Sequence, residues 1–280
     1  MLPQQLGTFS FVDRITDSEA DTRARGSFAI PAALAHFSPC LVAEAVGQLA
    51  AWVVMARHDF RRRPLAALAG EAHLLADALP GRILELGVEI EEWDDDAVGY
   101  AGWASIGDTP VIQVRNCVGA LLPLENFDDP VTARDRFALL RGPGAQPGRF
   151  PGVADAGIRL IEREPGRRLR ALMNVPESAP FFAEHFPRRP LYPATLLLDA
   201  QIRLAIDLAR EVDRPAAYVR VRPVRVADVK LRSFILPGQA IETTAEVAAG
   251  SSHTVLIALA ATVEGKRVAT ARVEVAAEET

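Results

Sequence analysis

Hydrophobic positions along this chain follow two alternating rhythms. Between Thr8 and Ile15 apolar and polar residues alternate, which predicts a strand, and residues 22–30 continue as a second extended segment. After Pro39 the rhythm changes. The run Cys40-Leu41-Val42-Ala43-Glu44-Ala45-Val46-Gly47-Gln48-Leu49-Ala50-Ala51-Trp52-Val53-Val54-Met55 is apolar on nearly all sides and predicts a buried helix. Glu44 and Gln48 are spaced i, i+4 and share one face of it. Residues 64–120 return to strand periodicity, with turns at Leu79-Pro80-Gly81 and Asp94-Asp95-Asp96 and a last strand over residues 110–118. Residues 121–153 are rich in Pro and Gly around a short helical piece and read as a linker.

The same series then restarts. Strands are expected over residues 158–163 and 168–175, a helix from Ala194 to about Val212, strands interrupted by Pro223 over residues 217–234, a Leu236-Pro237-Gly238 turn, and a meander over residues 241–275. Asp13-Arg14 lines up with Glu162-Arg163, and His36-Phe37 with His185-Phe186, at one spacing. Glu44-Ala45 with Asp199-Ala200, and Pro80-Gly81 with Pro237-Gly238, follow at larger spacings, as if the first copy lacked six residues before its helix. A repeat of this length indicates duplication of a whole domain. Each copy offers several hairpin-connected strands and one apolar helix. The expected fold is therefore α+β, with two antiparallel sheets, each wrapped around a long helix and paired as a pseudo-dimer. The expected boundaries are 1–120, a linker at 121–153, and 154–280.

Composition narrows the function classes. The chain is 49% hydrophobic and 24% charged with a net charge of −5, which suits a globular protein and argues against nucleic acid as a partner. Arg61-Arg62-Arg63 reads as a solvated loop. Two cysteines, Cys40 and Cys117, make a disulfide framework unexpected. No basic signal-peptide region precedes the first apolar residues, where Gln4 and Gln5 stand, and no apolar run is expected to span a membrane. The chain is expected in the cytoplasm. His58, His73 and His253 lack partner patterns and are expected at the surface. No metal-ligand spacing, nucleotide-binding glycine loop or Gly-x-Ser-x-Gly is present.

The most constrained stretch is Pro180-Phe181-Phe182-Ala183-Glu184-His185-Phe186-Pro187-Arg188-Arg189-Pro190-Leu191-Tyr192-Pro193. Its prolines make a stiff connector that ends where a helix starts, marked by Pro193 and Thr195. Free backbone N–H groups at a helix start suit an acyl carbonyl.

His185-Phe186-Pro187-x-x-Pro190-Leu191-Tyr192-Pro193, followed by Asp199-Ala200, resembles the 3-hydroxyacyl-[acyl-carrier-protein] dehydratases of the hot-dog fold. The hairpin Ile161–Ala171, the strand Val229-Lys230-Leu231-Arg232 and the turn Leu236-Pro237-Gly238-Gln239 are similar to the same family, so the resemblance covers most of residues 158–277. In the first copy it rests on Val12-Asp13-Arg14, His36-Phe37, Glu44-Ala45-Val46-Gly47-Gln48 and Leu79-Pro80-Gly81. Tandem forms resemble the double hot-dog dehydratases of polyketide and polyunsaturated-fatty-acid pathways. Four positions depart from the family pattern: Glu184 and Ala194 stand where it has Gly, Asp199 where Glu is commoner, and Arg203 where it has Gln.

The resemblance implies removal of water from a 3-hydroxyacyl thioester without a cofactor. The substrate would be carried on the phosphopantetheine of an acyl carrier protein. Histidine suits the proton transfer, and a carboxylate can serve as the acid when its surroundings keep it protonated. In the family the histidine and the acid come from different hot-dog units. Carried over, this pairs His185 with Glu44 as the favoured catalytic site, because both motifs are intact there, and leaves His36 with Asp199 as a second pair. Ala194, Tyr192, Phe182 and Gln48 are expected to contact substrate, and Arg188 and Arg189 to dock an acidic carrier. A hot-dog thioesterase and a non-catalytic partner in a synthase complex are the rival readings. Association into a homodimer is left open.

Overall fold

The computed structural model describes residues 7–19, 22–154, 157–212, 218–251 and 253–279. Gln4, Gln5 and Ala217, on which sequence expectations fell, lie outside them. In chain order the elements are β1 (Arg14–Glu19), β2 (Arg23–Ala29), α1 (Pro39–Arg57), β3 (Arg62–Leu74), β4 (Ile83–Trp93), β5 (Ala97–Ile106), β6 (Thr109–Pro123), α2 (Pro130–Arg141), β7 (Ile158–Glu164), β8 (Arg168–Asn174), α3 (Ala194–Glu211), β9 (Tyr218–Leu231), β10 (Ala240–Gly250), β11 (Thr254–Val263) and β12 (Lys266–Glu279).

All twelve strands form one sheet in the order β1-β2-β4-β5-β6-β3-β9-β12-β11-β10-β8-β7. The order is a palindrome in structural roles, because the second half repeats the first in reverse across the β3–β9 seam. There the strands run antiparallel, with Leu68 opposite Lys230, Ala69 opposite Val229 and Ala72 opposite Val226. Each half wraps its own helix. α1 packs on β2 to β6, and α3 on β8 to β12, and the two helices touch.

Ser38 caps α1, its Oγ accepting the Leu41 N–H at 3.3 Å, and Pro39 occupies the first turn where its missing N–H costs nothing. Buried residues from Cys40 to Met55 surround the helix. It lies close against the sheet at two glycines. A Cβ on Gly102 would sit 2.5 Å from Val46 Cγ1 and 2.8 Å from the Gly87 carbonyl, and one on Gly26 would sit 3.2 Å from Leu49 Cδ1. By length and composition α1 could cross a membrane, which corrects the expectation that no apolar run reaches that length; most of it is buried inside the fold. α3 is more amphipathic. Leu196, Leu197, Ala200, Leu204, Ala205 and Leu208 face the sheet, and the buried Gln201 amide donates to Thr243 Oγ1 at 3.1 Å.

Three sequence expectations need correction. Residues 121–153 hold a 12-residue helix, α2, that packs on α1 and β1 and so forms part of the body of the fold. Pro223 does not interrupt β9; it faces Val275 at a register shift, where a strand tolerates a missing N–H. The third concerns the repeat. The closing pairs of the first hairpins, Glu19–Arg23 and Glu164–Arg168, place Arg14 opposite the role of Arg159, so the Asp13-Arg14 match to Glu162-Arg163 is out of register. Phe37 bridges Ala78 just as the Tyr192 N–H bonds the Ile235 carbonyl, so Phe37 corresponds to Tyr192 and His36 to Leu191. Counted between equivalent backbone bonds, Ile30 to Phe37 is ten residues shorter than Val175 to Tyr192, not six. The missing residues include the counterpart of His185.

Gly102→Ala should lower the unfolding temperature by a few degrees. Its new methyl must displace Val46 or the β4 backbone, a strain of roughly 1–3 kcal/mol. Thermal unfolding followed by circular dichroism checks this, and an unchanged midpoint would contradict the close helix–sheet approach.

Candidate active site

A cavity of about 530 Å³ runs between α1, the N-terminus of α3 and strands β3, β5, β6 and β9. This volume suits a small-molecule ligand. Glu44, Gln48, His185, Tyr192 and Ala194 all line it, so residues from both copies meet there. The exposed Arg232, Ser233 and Phe234 line it as well, which places an opening beside the loop after β9.

His185 is held by its own loop. Its Nδ1 lies 2.9 Å from the Leu191 carbonyl oxygen, and the Leu191 N–H returns a 3.0 Å bond to the His185 carbonyl. A carbonyl can only accept, so the neutral ring carries its proton on Nδ1 and keeps the Nε2 lone pair available. The ring stacks on Phe186 with centroids 4.1 Å apart and meets the edge of Phe9 at 5.7 Å. Burial pushes its pKa below the usual histidine value of 6.5, with the nearby Glu44 charge opposing the shift. The base form therefore dominates at neutral pH.

Glu44 reaches this cavity from the first copy. Oε1 accepts from Gln48 Nε2 at 3.0 Å, which is the i, i+4 contact expected on α1, and Oε2 accepts from Thr195 Oγ1 at 2.8 Å. Thr195 stands in the first turn of α3, whose N-cap position is Pro193 and carries no side-chain cap. As first residues of the helix, Ala194 and Thr195 have no intrahelical acceptor for their N–H groups. The helix start thus presents donors beside both His185 and Glu44.

A strap from the N-terminal segment ties the two halves together. The Gly7 and Phe9 N–H groups donate to Glu184 Oε1 and Oε2 at 2.8 and 2.7 Å, and Ser10 Oγ donates to Oε2 at 2.9 Å. The same segment holds Gln48: the Phe11 N–H donates to its Oε1 at 2.8 Å and its Nε2 donates to the Phe9 carbonyl at 2.9 Å. Residues 7–11 therefore bond to the neighbour of His185 in one copy and to the neighbour of Glu44 in the other. Glu184, where the family pattern has Gly, is what makes the first of these links.

The second pair does not form. His36 is exposed and does not line the cavity. Asp199 lies beside Arg203, Oδ2 to Nε 3.6 Å, and its charge helps to raise the pKa of the buried Cys40 thiol, which burial raises most. Cys40 stands where the other half has Thr195. The pseudo-symmetric position keeps an acid but has lost both its histidine and its hydroxyl donor. Phe182 also departs from expectation. It is buried against Phe181, centroids 4.5 Å apart, and is absent from the cavity wall. Of the two arginines expected to dock a carrier, Arg188 is engaged by Asp129 Oδ2 and the Glu125 carbonyl, each at 3.0 Å. Arg189 lies over the Phe234 ring at 4.9 Å, at the rim of the opening.

Sequence reading missed three contributors. Thr195 looked like a helix-start signal, and Glu184 like a departure from pattern. Arg63 reads as solvated within its basic triplet, yet it lines the cavity with its guanidinium 4.2 Å from the Phe186 ring. Strand alternation could have suggested this, since Arg63 shares a face with the buried Leu65.

Comparison with known proteins agrees with this architecture. Residues 158–272 match the family model of the FabA-like domain. Two 3-hydroxyacyl-[acyl-carrier-protein] dehydratases named FabZ are similar in sequence. That of Myxococcus xanthus is 31% identical over 112 residues, covering 40% of this chain and 73% of the relative. That of Wolbachia pipientis is 30% identical over 92 residues, covering 32% of this chain and 62% of the relative, so the chain spans less than two thirds of that protein's length. An acyl-ACP thioesterase from Bacteroides thetaiotaomicron shares the fold, with a TM-score of 0.56 at 10% identity over 92% of this chain and all of that one. The fold is thus two tandem hot-dog units, and the chain belongs to the FabA-like, FabZ-type family of 3-hydroxyacyl-[acyl-carrier-protein] dehydratases.

Proposed function

We propose that the protein removes water from 3-hydroxyacyl thioesters to give 2-enoyl thioesters, at a single composite site made by His185 and Glu44. The observation that carries this reading is the meeting, in one cavity, of a neutral histidine with a free Nε2, a carboxyl group and an unfilled helix N-terminus. His185 Nε2 takes the proton from the carbon next to the thioester carbonyl. The N–H groups of Ala194 and Thr195 face the charge that then grows on the carbonyl oxygen, and such donors are each typically worth about 3 kcal/mol. Glu44, entering the step in its protonated form, gives that proton to the departing hydroxyl, a double bond forms between the two carbons, and water leaves. The proton on His185 returns the pair to its starting state by way of solvent or the released water. These steps draw on side chains and backbone alone.

The similarity to FabZ dehydratases supports the reaction class, and supports a carrier-protein thioester as the substrate form. Arg189 and Arg232, both at the opening, would meet an acidic carrier; Arg188 contributes less, because Asp129 already offsets its charge. A thioesterase would use the same cavity to hydrolyse the thioester.

Incubation with a 3-hydroxyacyl carrier thioester separates the two reactions. Mass spectrometry is expected to show a thioester lighter by one water; release of free acid would favour hydrolysis instead. His185→Ala and Glu44→Gln should each lower kcat by about 10²–10⁴-fold, whereas His36→Ala and Asp199→Asn should leave it unchanged. Loss of activity in His36→Ala with full activity in His185→Ala would overturn the site.

The pH dependence follows from His185. Because burial depresses its pKa, the acid limb of kcat/KM should lie below the ordinary value of 6.5. For the same reason the neutral ring stabilises the fold fully above 6.5, and that contribution is lost as pH falls through the depressed pKa. His185→Phe should flatten this part of the stability profile, measured by urea unfolding between neutral and acid pH. An acid limb above 6.5 would contradict the buried, neutral base.

A further inference from the structure

The cavity wall holds a cationic group that the reaction above does not use. Arg63 enters from the start of β3, and its guanidinium lies 4.2 Å from the ring of Phe186, the same ring on which His185 stacks at 4.1 Å. Its Nε is buried without a hydrogen-bond partner. Its Nη1 makes only long contacts, 3.9 Å to Asp128 Oδ2 and 3.9 Å to Met55 Sδ. Asp128 is already committed elsewhere, since the same Oδ2 accepts from Arg136 Nη1 at 3.0 Å and Oδ1 accepts the Asp129 N–H at 2.8 Å. Two guanidinium groups therefore share one carboxylate at this wall, and Arg63 has the poorer share. Burial pushes its pKa down to about 10, which leaves it charged at neutral pH. Sixteen per cent of the side chain remains accessible, and all three residues line the cavity.

An enclosed cation with spare donors is costly beside a purely aliphatic chain and favourable beside an oxygen acceptor. The phosphate of a carrier arm cannot supply that acceptor. It sits at the carrier end of the arm, at the protein surface, whereas Arg63 is one ring away from the reacting histidine. We propose that the site selects acyl chains bearing an oxygen function beyond the reacting carbons, a carboxylate above all, with Arg63 as the anchoring residue. The choice of a thioester-borne acyl chain as ligand rests on the reading given above.

Binding of unreactive amide analogues tests this, with nitrogen replacing the thioester sulfur and no 3-hydroxyl. Acyl-pantetheine amides of equal chain length, ending in methyl or in carboxylate, are compared by isothermal titration calorimetry on the full chain. The carboxylate-ended analogue should bind the wild-type protein at least about tenfold more tightly, the scale of a charge-assisted hydrogen bond. Arg63→Met should abolish that preference and leave the methyl-ended analogue unaffected; Arg63→Lys, which keeps the charge without the fork, should retain part of it. Equal wild-type affinity for the two analogues would overturn the proposal, and so would an Arg63→Met variant that weakens both alike. The wild-type comparison decides even if the variants fold poorly. Because these amides cannot be dehydrated or hydrolysed as thioesters, the outcome stands apart from the assay of the reaction: absence of dehydration would defeat the proposed function and leave the oxygen preference measurable.

Discussion

The antiparallel pairing of β3 with β9 is the constraint on which the rest depends. It joins two sheets into one, fixes the register across the pseudo-twofold axis, and brings α1 and α3 into contact. Without it, Glu44 and His185 would belong to separate bodies. With it, a loop from one copy and a helix from the other are held within a single wall of packed side chains. The close approach of α1 to Gly26 and Gly102 then fixes where along the seam the carboxyl arrives.

Duplication would ordinarily give two equivalent histidine–acid pairs, and among the described residues only His185 and Glu44 meet at the cavity. The shortened connector between Ile30 and Phe37 is the physical reason. It removes the segment that carries a histidine in the other half, and it leaves Asp199 with Arg203 and a buried thiol instead of a hydroxyl partner. The His185–Glu44 side also has contacts without a counterpart across the pseudo-twofold axis. Residues 7–11 reach Glu184 and Gln48 together, and the segment that reads as a linker supplies Asp128, just before α2, and Arg136, within it, to the cavity wall. Symmetry supplied the frame, and its loss allowed each half to specialise.

Much of this was legible in the sequence, for identifiable reasons. Alternation placed the strands, because a half-buried sheet enforces period two, and the all-apolar run placed α1. The Pro-Gly turns exposed the repeat. The composite His185–Glu44 arrangement followed from motifs whose spacing matches a known family. What failed was local coincidence and tertiary context. The His36-Phe37 dipeptide looked equivalent to His185-Phe186, but backbone pairing assigns Phe37 the place of Tyr192. Arg63 looked solvated because its burial depends on Phe186 and Asp128, both distant in sequence. Phe182 sits in the same loop as His185 yet turns into the core.

A crystal structure with a 3-hydroxyacyl-pantetheine amide bound would test the single composite site most directly. The ligand is expected in the cavity between the two copies. Its 3-hydroxyl should lie within hydrogen-bonding distance of Glu44, the carbon next to its carbonyl against His185 Nε2, and its carbonyl oxygen on the N–H groups of Ala194 and Thr195. A ligand seated beside Asp199 and His36 instead, or one whose carbonyl points away from the start of α3, would contradict the single composite site.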